Sequence, residues 1–135
     1  MSESAARKTL DQQRAAHAWQ VAEKADKSFG RQAKRLGPRI LTAGLGPAVQ
    51  FLIAKKEAPK LTEALRDWLL EAGPTKTMRR PSSPPSSPTE DVDPLVADVI
   101  NGDSDRLRWL TAEALAYLAW LTRFCEARGL TEDEP

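Results

Sequence analysis

Apolar residues recur at helical spacing along nearly the whole chain, and no stretch shows the strict alternation of a half-buried strand. From Ala5 to Leu36, positions stepped at 100° per residue place Leu10, Ala18, Val21, Ala22, Ala25, Phe29, Ala33 and Leu36 on one face. This spacing predicts a long amphipathic helix with a bend or break at Gly30 and Gly37 as its C-cap. The steps Gly37-Pro38 and Gly46-Pro47 each read as a helix stop followed by proline opening the next helix. Short apolar helices are therefore expected from Pro38 to Ala43 and from Pro47 to Lys55. Pro59 opens a further helix, in which Leu61, Leu65, Trp68 and Leu69 share a face before Gly73 closes it.

Further on, Asp93 and Pro94 form an N-cap and first-turn pair for a short helix that stops at Asn101-Gly102. Ser104 is expected to cap the last helix, which runs to Arg128 with Gly129 beyond it. Leu107, Leu110, Ala114, Tyr117, Leu118, Leu121, Phe124 and Cys125 make its apolar arc, widened by Trp109, Ala116 and Trp120. So wide an arc implies burial against several neighbours, with Trp109 and Trp120 as candidates for a subunit interface. The expected fold is all-α, a compact bundle of about five to six helices with a long first and a long last one. Its length fits a single domain over residues 1–135.

Composition changes this picture in one place. Of the ten prolines, five fall between Pro74 and Pro88, and Arg79-Arg80-Pro-Ser-Ser-Pro-Pro-Ser-Ser-Pro88 has almost nothing apolar to bury. Residues 74–90 are read as a Pro/Ser-rich, extended, polyproline-like loop. It separates two charge halves: residues 1–60 carry twelve basic and five acidic side chains, residues 81–135 four basic and eleven acidic, although the net charge is only +1. If these halves lie at opposite ends of the bundle, copies of the chain could stack head to tail.

Catalytic and metal-binding groups are scarce. Cys125 and His17 are the only residues of their kinds, which leaves no internal disulfide and no Cys/His zinc site. Cys125 lies on the apolar arc, where thiols are usually inert, and His17 is its sole potential base. Asp91, Asp93, Asp98, Asp103 and Asp105 sit at helix starts as caps and dipole partners rather than as a calcium loop. Gly44-Leu45-Gly46-Pro47 lacks the Lys-Ser/Thr ending of a phosphate loop. No catalytic residue, metal or cofactor is predicted. A polar N-terminus without an apolar core segment, and no run long enough to span a bilayer, point to a cytoplasmic protein with no membrane partner.

The positive signal is charge. Lys24, Lys27, Arg31, Lys34 and Arg35 fall within about 100° of one another, opposite the apolar face of a continuous first helix. Arg39, Lys55, Lys56 and Lys60 extend the positive surface. Such a surface tracks phosphates without reading bases, although a merely solvated helix face has the same pattern. No aromatic RNA-reading motif accompanies the cations, so base stacking is not expected.

Three segments carry a family resemblance: Leu10-Asp-Gln-Gln-Arg-Ala-Ala-His-Ala18, then Ile40-Leu-Thr-Ala-Gly-Leu45 with Val49-Gln-Phe-Leu-Ile53, and the closing helix from Leu107 to Ala127. Together they resemble the small helical subunit of the type III-B CRISPR Cmr effector complex. The most specific part is Thr111, Glu113, Ala114, Leu115, Tyr117, Leu118, Trp120, Leu121, Arg123 and Phe124 in register. The chain departs from the pattern at Ala43-Gly44-Leu45, where the family usually reads Asn-Gly-Leu, and in its longer Pro/Ser loop. The resemblance implies a non-catalytic subunit of an RNA-guided antiviral complex. Its partners would be other Cmr subunits, copies of itself stacked in a filament, guide RNA and target RNA. The alternative from the residues alone is a helical adaptor that binds protein through Trp109 and Trp120 and has no nucleic-acid role.

Overall fold

The computed structural model of the protein describes residues 7–81 and 91–132. Among the described residues there are six α-helices and no strand: α1 (Leu10–Ala22), α2 (Lys27–Ala43), α3 (Leu45–Lys55), α4 (Pro59–Asp67), α5 (Pro94–Asn101) and α6 (Ser104–Ala127). A π-helical turn, Trp68–Ala72, continues α4, and a short 3-10 turn, Pro74–Lys76, follows it. No helix among these residues is long and apolar enough to cross a membrane.

The long first helix of the sequence reading is two helices. α1 starts at Leu10, where Thr9 and Gln12 form a reciprocal capping box, and the expected residues Ala5 and Ala6 lie outside the described part. The chain breaks at residues 23–26 rather than at Gly30, because the Asp26 carboxylate accepts the Phe29 amide at 2.8 Å and opens α2 there. Gly30 is needed for a different reason. A Cβ at this position would lie 2.2 Å from the Leu130 carbonyl oxygen, so the glycine lets the C-terminal segment close onto α2.

Gly37-Pro38 does not end a helix either, since α2 runs through Pro38 to Ala43. An interior proline costs about 3 kcal/mol. Leu36 and Ile40, buried on either side of it, each contribute roughly 1.5–3 kcal/mol and outweigh that cost. The turn comes at Gly44, whose φ of +96° is open to glycine and strained for other residues. Its amide donates to the Ile40 carbonyl at 2.8 Å, so a backbone hydrogen bond closes the turn. Pro47 falls in the first turn of α3, where a missing N–H is harmless.

α6 lies against both α1 and α2, while α3 joins α2, α4 and α5. Buried apolar side chains from all six helices form one cluster, including Leu36, Leu52, Leu65, Leu95, Leu110 and Leu121. Within it Trp68 stacks on Tyr117, with ring centroids 5.5 Å apart and planes at 13°. Leu107 was expected on the buried arc of α6 but is exposed, and the cap of that helix is Asp103 rather than Ser104.

Three side chains of acidic or basic type, Asp98, Arg106 and Glu113, lie in the interior. Arg106 is fully buried, donating from Nε and Nη2 to the two oxygens of Asp98, both at 2.9 Å. Its Nη1 donates to the carbonyls of Thr75 and Met78. Glu113 accepts from Arg14 Nε and Nη2 and from Trp68 Nε1 at 2.9 Å. Arg106 therefore gathers in the start of the Pro/Ser segment: residues 74–81 are tied to the bundle, with Thr75 buried and Arg80 donating to the Leu70 carbonyl at 3.0 Å. This corrects the extended reading for residues 74–81, while residues 82–90 lie outside the described part.

Candidate nucleic-acid interface

α2 places Lys27, Arg31, Lys34 and Arg35 within about 100° of each other, opposite the buried Phe29, Ala33, Leu36 and Ile40. Lys27, Lys34 and Arg35 are exposed there, and Arg31 is half-buried. Lys24 is not on this ridge, because the break at residues 23–26 turns it away. It lines instead a cavity of about 430 Å³ together with Ser28, Lys56 and Lys60, where the α1–α2 and α3–α4 turns meet. Arg39 and Lys55 form a third group around Phe51 on α3, at 4.3 Å and 5.6 Å from the ring centroid. The single stripe read from the sequence is thus a ridge, a cavity lined by three lysines together with Asp26 and Glu57, and an aromatic cluster as separate features. Lys60 gains importance from its place in the cavity, which helical spacing within one segment could not reveal.

Arginines and lysines play different parts. Arg14 pairs with Glu113 and Asp11, Arg66 with Asp93, and Arg79 with Asp103 and Asp105. Arg80 lies 3.8 Å from Asp98, which is also the partner of Arg106. Among the described residues no lysine forms an ion pair. The acidic caps of the C-terminal half are therefore largely matched by arginines of the fold, and the lysines, together with Arg39, are left without an ion pair among the described residues. Lys27 is also the first residue of α2, where the helix dipole disfavours a cation, so helix stability does not account for it.

The two tryptophans proposed for an interface both make contacts within the chain. The Trp120 indole N–H donates to Asp11 at 3.0 Å, and its ring lies 5.6 Å from that of Phe124. That hydrogen bond is the largest influence holding the Asp11 carboxyl below its ordinary value. Trp109 faces Arg79, whose guanidinium carbon is 6.0 Å from the ring, and lines a small cavity with Pro74 and Met78. Trp19, half-exposed and edge-on to Phe124, is the more accessible indole, and α1's apolar spacing gave no sign of it.

The groups considered for catalysis are occupied. His17 Nε2 is 2.7 Å from Asp67 Oδ2, and its Nδ1 is 2.7 Å from the Tyr117 hydroxyl, so the ring fastens α1 to α4 and α6. Burial pushes the Tyr117 hydroxyl up from its ordinary value. Cys125 is buried, and the same effect pushes its thiol up to about 11, which keeps it protonated at neutral pH. Among the described residues no group of three or more His, Cys, Asp or Glu side chains could hold a metal ion.

The described residues form a helical bundle whose α2 carries an exposed basic ridge. The sequence model of the CRISPR-associated protein family Cas_Cmr5 matches residues 10–128, and the chain belongs to that family of small Cmr subunits. The match begins at the first residue of α1 and ends one residue after α6. No curated protein and no solved structure matches the chain.

Proposed function

We propose that this chain is a non-catalytic small subunit of an RNA-guided type III-B effector complex in antiviral defence, contacting the RNA backbone through the exposed ridge of α2. The observation that carries the reading is the segregation of charge: Arg14, Arg66, Arg79, Arg80 and Arg106 are paired with carboxylates, whereas Lys27 and Lys34 on the ridge, and Lys24, Lys56 and Lys60 around the cavity, form no ion pair among the described residues. Unpaired lysines on a rigid helix suit phosphates, which need charge but no fixed geometry. Sequence selection would then belong to base pairing between guide and target. Family membership supports assembly with other Cmr subunits.

The same complex would contain several copies of this chain stacked beside one another. Head-to-tail attraction between charge halves has less support in the fold than in the sequence, because Arg14 of the basic half and Arg66, Arg79 and Arg80 of the segment between the halves already pair with acids of the second half. Sedimentation across a range of salt separates the two roles of the cations: stacking driven by charge weakens with salt in the absence of RNA. The protein-only adaptor reading predicts that nuclease treatment leaves the assembled partners unchanged.

The test is the double variant Lys27→Glu, Lys34→Glu in a reconstituted complex. Each single-strand phosphate contact contributes about 0.7 to the slope of log affinity against log salt, so losing two contacts flattens the slope by about 1.4. Binding at low salt weakens accordingly. Unchanged affinity and slope, with the variant incorporated normally, would overturn the proposal.

A further inference from the structure

Phe51 is the one aromatic ring of α3, and it is 42% exposed although the helix has a fully formed apolar face in Leu45, Val49 and Leu52. Its neighbours on the outer side of α3 are Pro47, Gln50 and Ala54, all exposed and none large enough to cover a phenyl ring. The flanking side chains are cationic. Arg39, from α2, places its guanidinium carbon 4.3 Å from the ring centroid, and Lys55, one turn along α3, places Nζ at 5.6 Å. Neither cation forms an ion pair with a carboxylate among the described residues.

From this geometry we infer that Phe51, backed by Arg39 and flanked by Lys55, is a stacking platform for an unpaired RNA base. The inference deepens the RNA-backbone reading of α2 and rests on it. Three features support a nucleotide rather than an apolar protein segment as the occupant. First, two positive charges, Arg39 and Lys55, lie over this ring, and they suit the phosphate attached to a stacked base. Second, a cation on one face draws π density toward itself and lessens the repulsion felt by a base laid on the other face. Third, the platform continues the lysine ridge: Arg39 follows Arg35 by one helical turn, so a strand whose phosphates follow α2 from Lys27 reaches Phe51 after about 18 Å of helix. The sequence reading did not expect base stacking, because one phenylalanine in an apolar helix carries no motif. The contact between α2 and α3 creates the feature.

The full-length chain, titrated with a fluorescent oligoadenylate and with an abasic oligomer of the same length, tests the inference. Phe51→Ala is expected to weaken oligoadenylate binding roughly tenfold, the scale of losing one stacked base, while the salt slope and the affinity for the abasic oligomer stay unchanged. Phe51→Trp restores binding or exceeds wild type. Phe51→Leu, which keeps apolar bulk, behaves like Phe51→Ala, and unaltered circular dichroism in all three variants shows that the ring's exposed position leaves the fold intact. Equal affinity of wild type and Phe51→Ala for oligoadenylate would overturn the platform while leaving the backbone reading standing. Failure of the wild type to bind either oligomer would overturn both. A Phe51→Ala protein that binds RNA normally but no longer enters the complex would identify the ring as a protein contact and also overturn the inference.

Discussion

Arg106 gives the sharpest test of how the interior is held together. The substitution Arg106→Met keeps the length and apolar stem of the side chain but removes a guanidinium that is 0% exposed. Asp98, 6% exposed, then loses both bonds to its partner, and the carbonyls of Thr75 and Met78 lose their donor. Removing one member of a buried pair costs about 3–5 kcal/mol, because the remaining charge is left without compensation. Arg80 lies 3.8 Å from Asp98 and can partly replace the lost charge, which places the expected loss near the lower end, about 3 kcal/mol. For a chain of this size that is a fall in melting temperature of roughly 10 °C. Urea denaturation followed by circular dichroism reads it directly, as a lower midpoint at unchanged slope. The double variant Arg106→Met, Asp98→Leu removes the orphaned carboxylate but still leaves two carbonyls without donors, so it recovers only part of the loss. A single variant within about 1 kcal/mol of wild type would refute the argument that this pair secures residues 75–78 to the bundle.

Other consequences follow from the same structure. Gly30→Ala gains about 1 kcal/mol of helix propensity but drives a methyl group into the Leu130 backbone, for a net loss of roughly 1–2 kcal/mol in thermal or urea unfolding. Unchanged stability would show that the C-terminal segment moves away without cost. The Cys125 thiol, pushed up to about 11 by burial, should react with a disulfide reagent at pH 8 far more slowly in the native protein than in urea; equal rates would contradict its burial. The Asp103 carboxyl is held below its ordinary value chiefly by the Arg106 amide, so its contribution to stability is complete above the unfolded value of 3.8 and is lost as pH falls through the lower folded value. Carbon-detected NMR titration should place its midpoint below 3.8, and a midpoint at or above that value would exclude the cap.

The sequence revealed the helices well where the signal was local. Asp93-Pro94 at the start of α5 and the periodic arc of α6 depend on neighbours within a turn or two, and both are present in the structure. Glycine and proline misled the reading where tertiary contacts outweighed them. Pro38 did not stop α2 because the residues on both sides were buried, and Gly30 marked the approach of Leu130 rather than a bend. The α1–α2 break had a local signal in Asp26 three residues before Phe29, but it was masked by the apolar stripe that continued across it. Arg106 and Glu113 could not be identified as buried charges, since their partners come from Asp98, Thr75 and Met78 in one case and from Arg14 and Trp68 in the other. For the same reason the cations could be counted but not grouped. Joining Lys24 to Lys56 and Lys60, or Arg39 to Phe51, requires the turns and helix contacts that bring distant segments together.

The central claim is that the exposed ridge of α2 lies against RNA in the assembled complex. A photo-crosslinking amino acid placed at Lys27 or Lys34, with a control at the exposed Arg108 on α6, tests it in a complex holding guide and labelled target. The account predicts RNA adducts from positions 27 and 34, few from position 108, and a decline as salt rises. Adducts exclusively to protein from both ridge positions would contradict it and assign the lysines of α2 to subunit contacts.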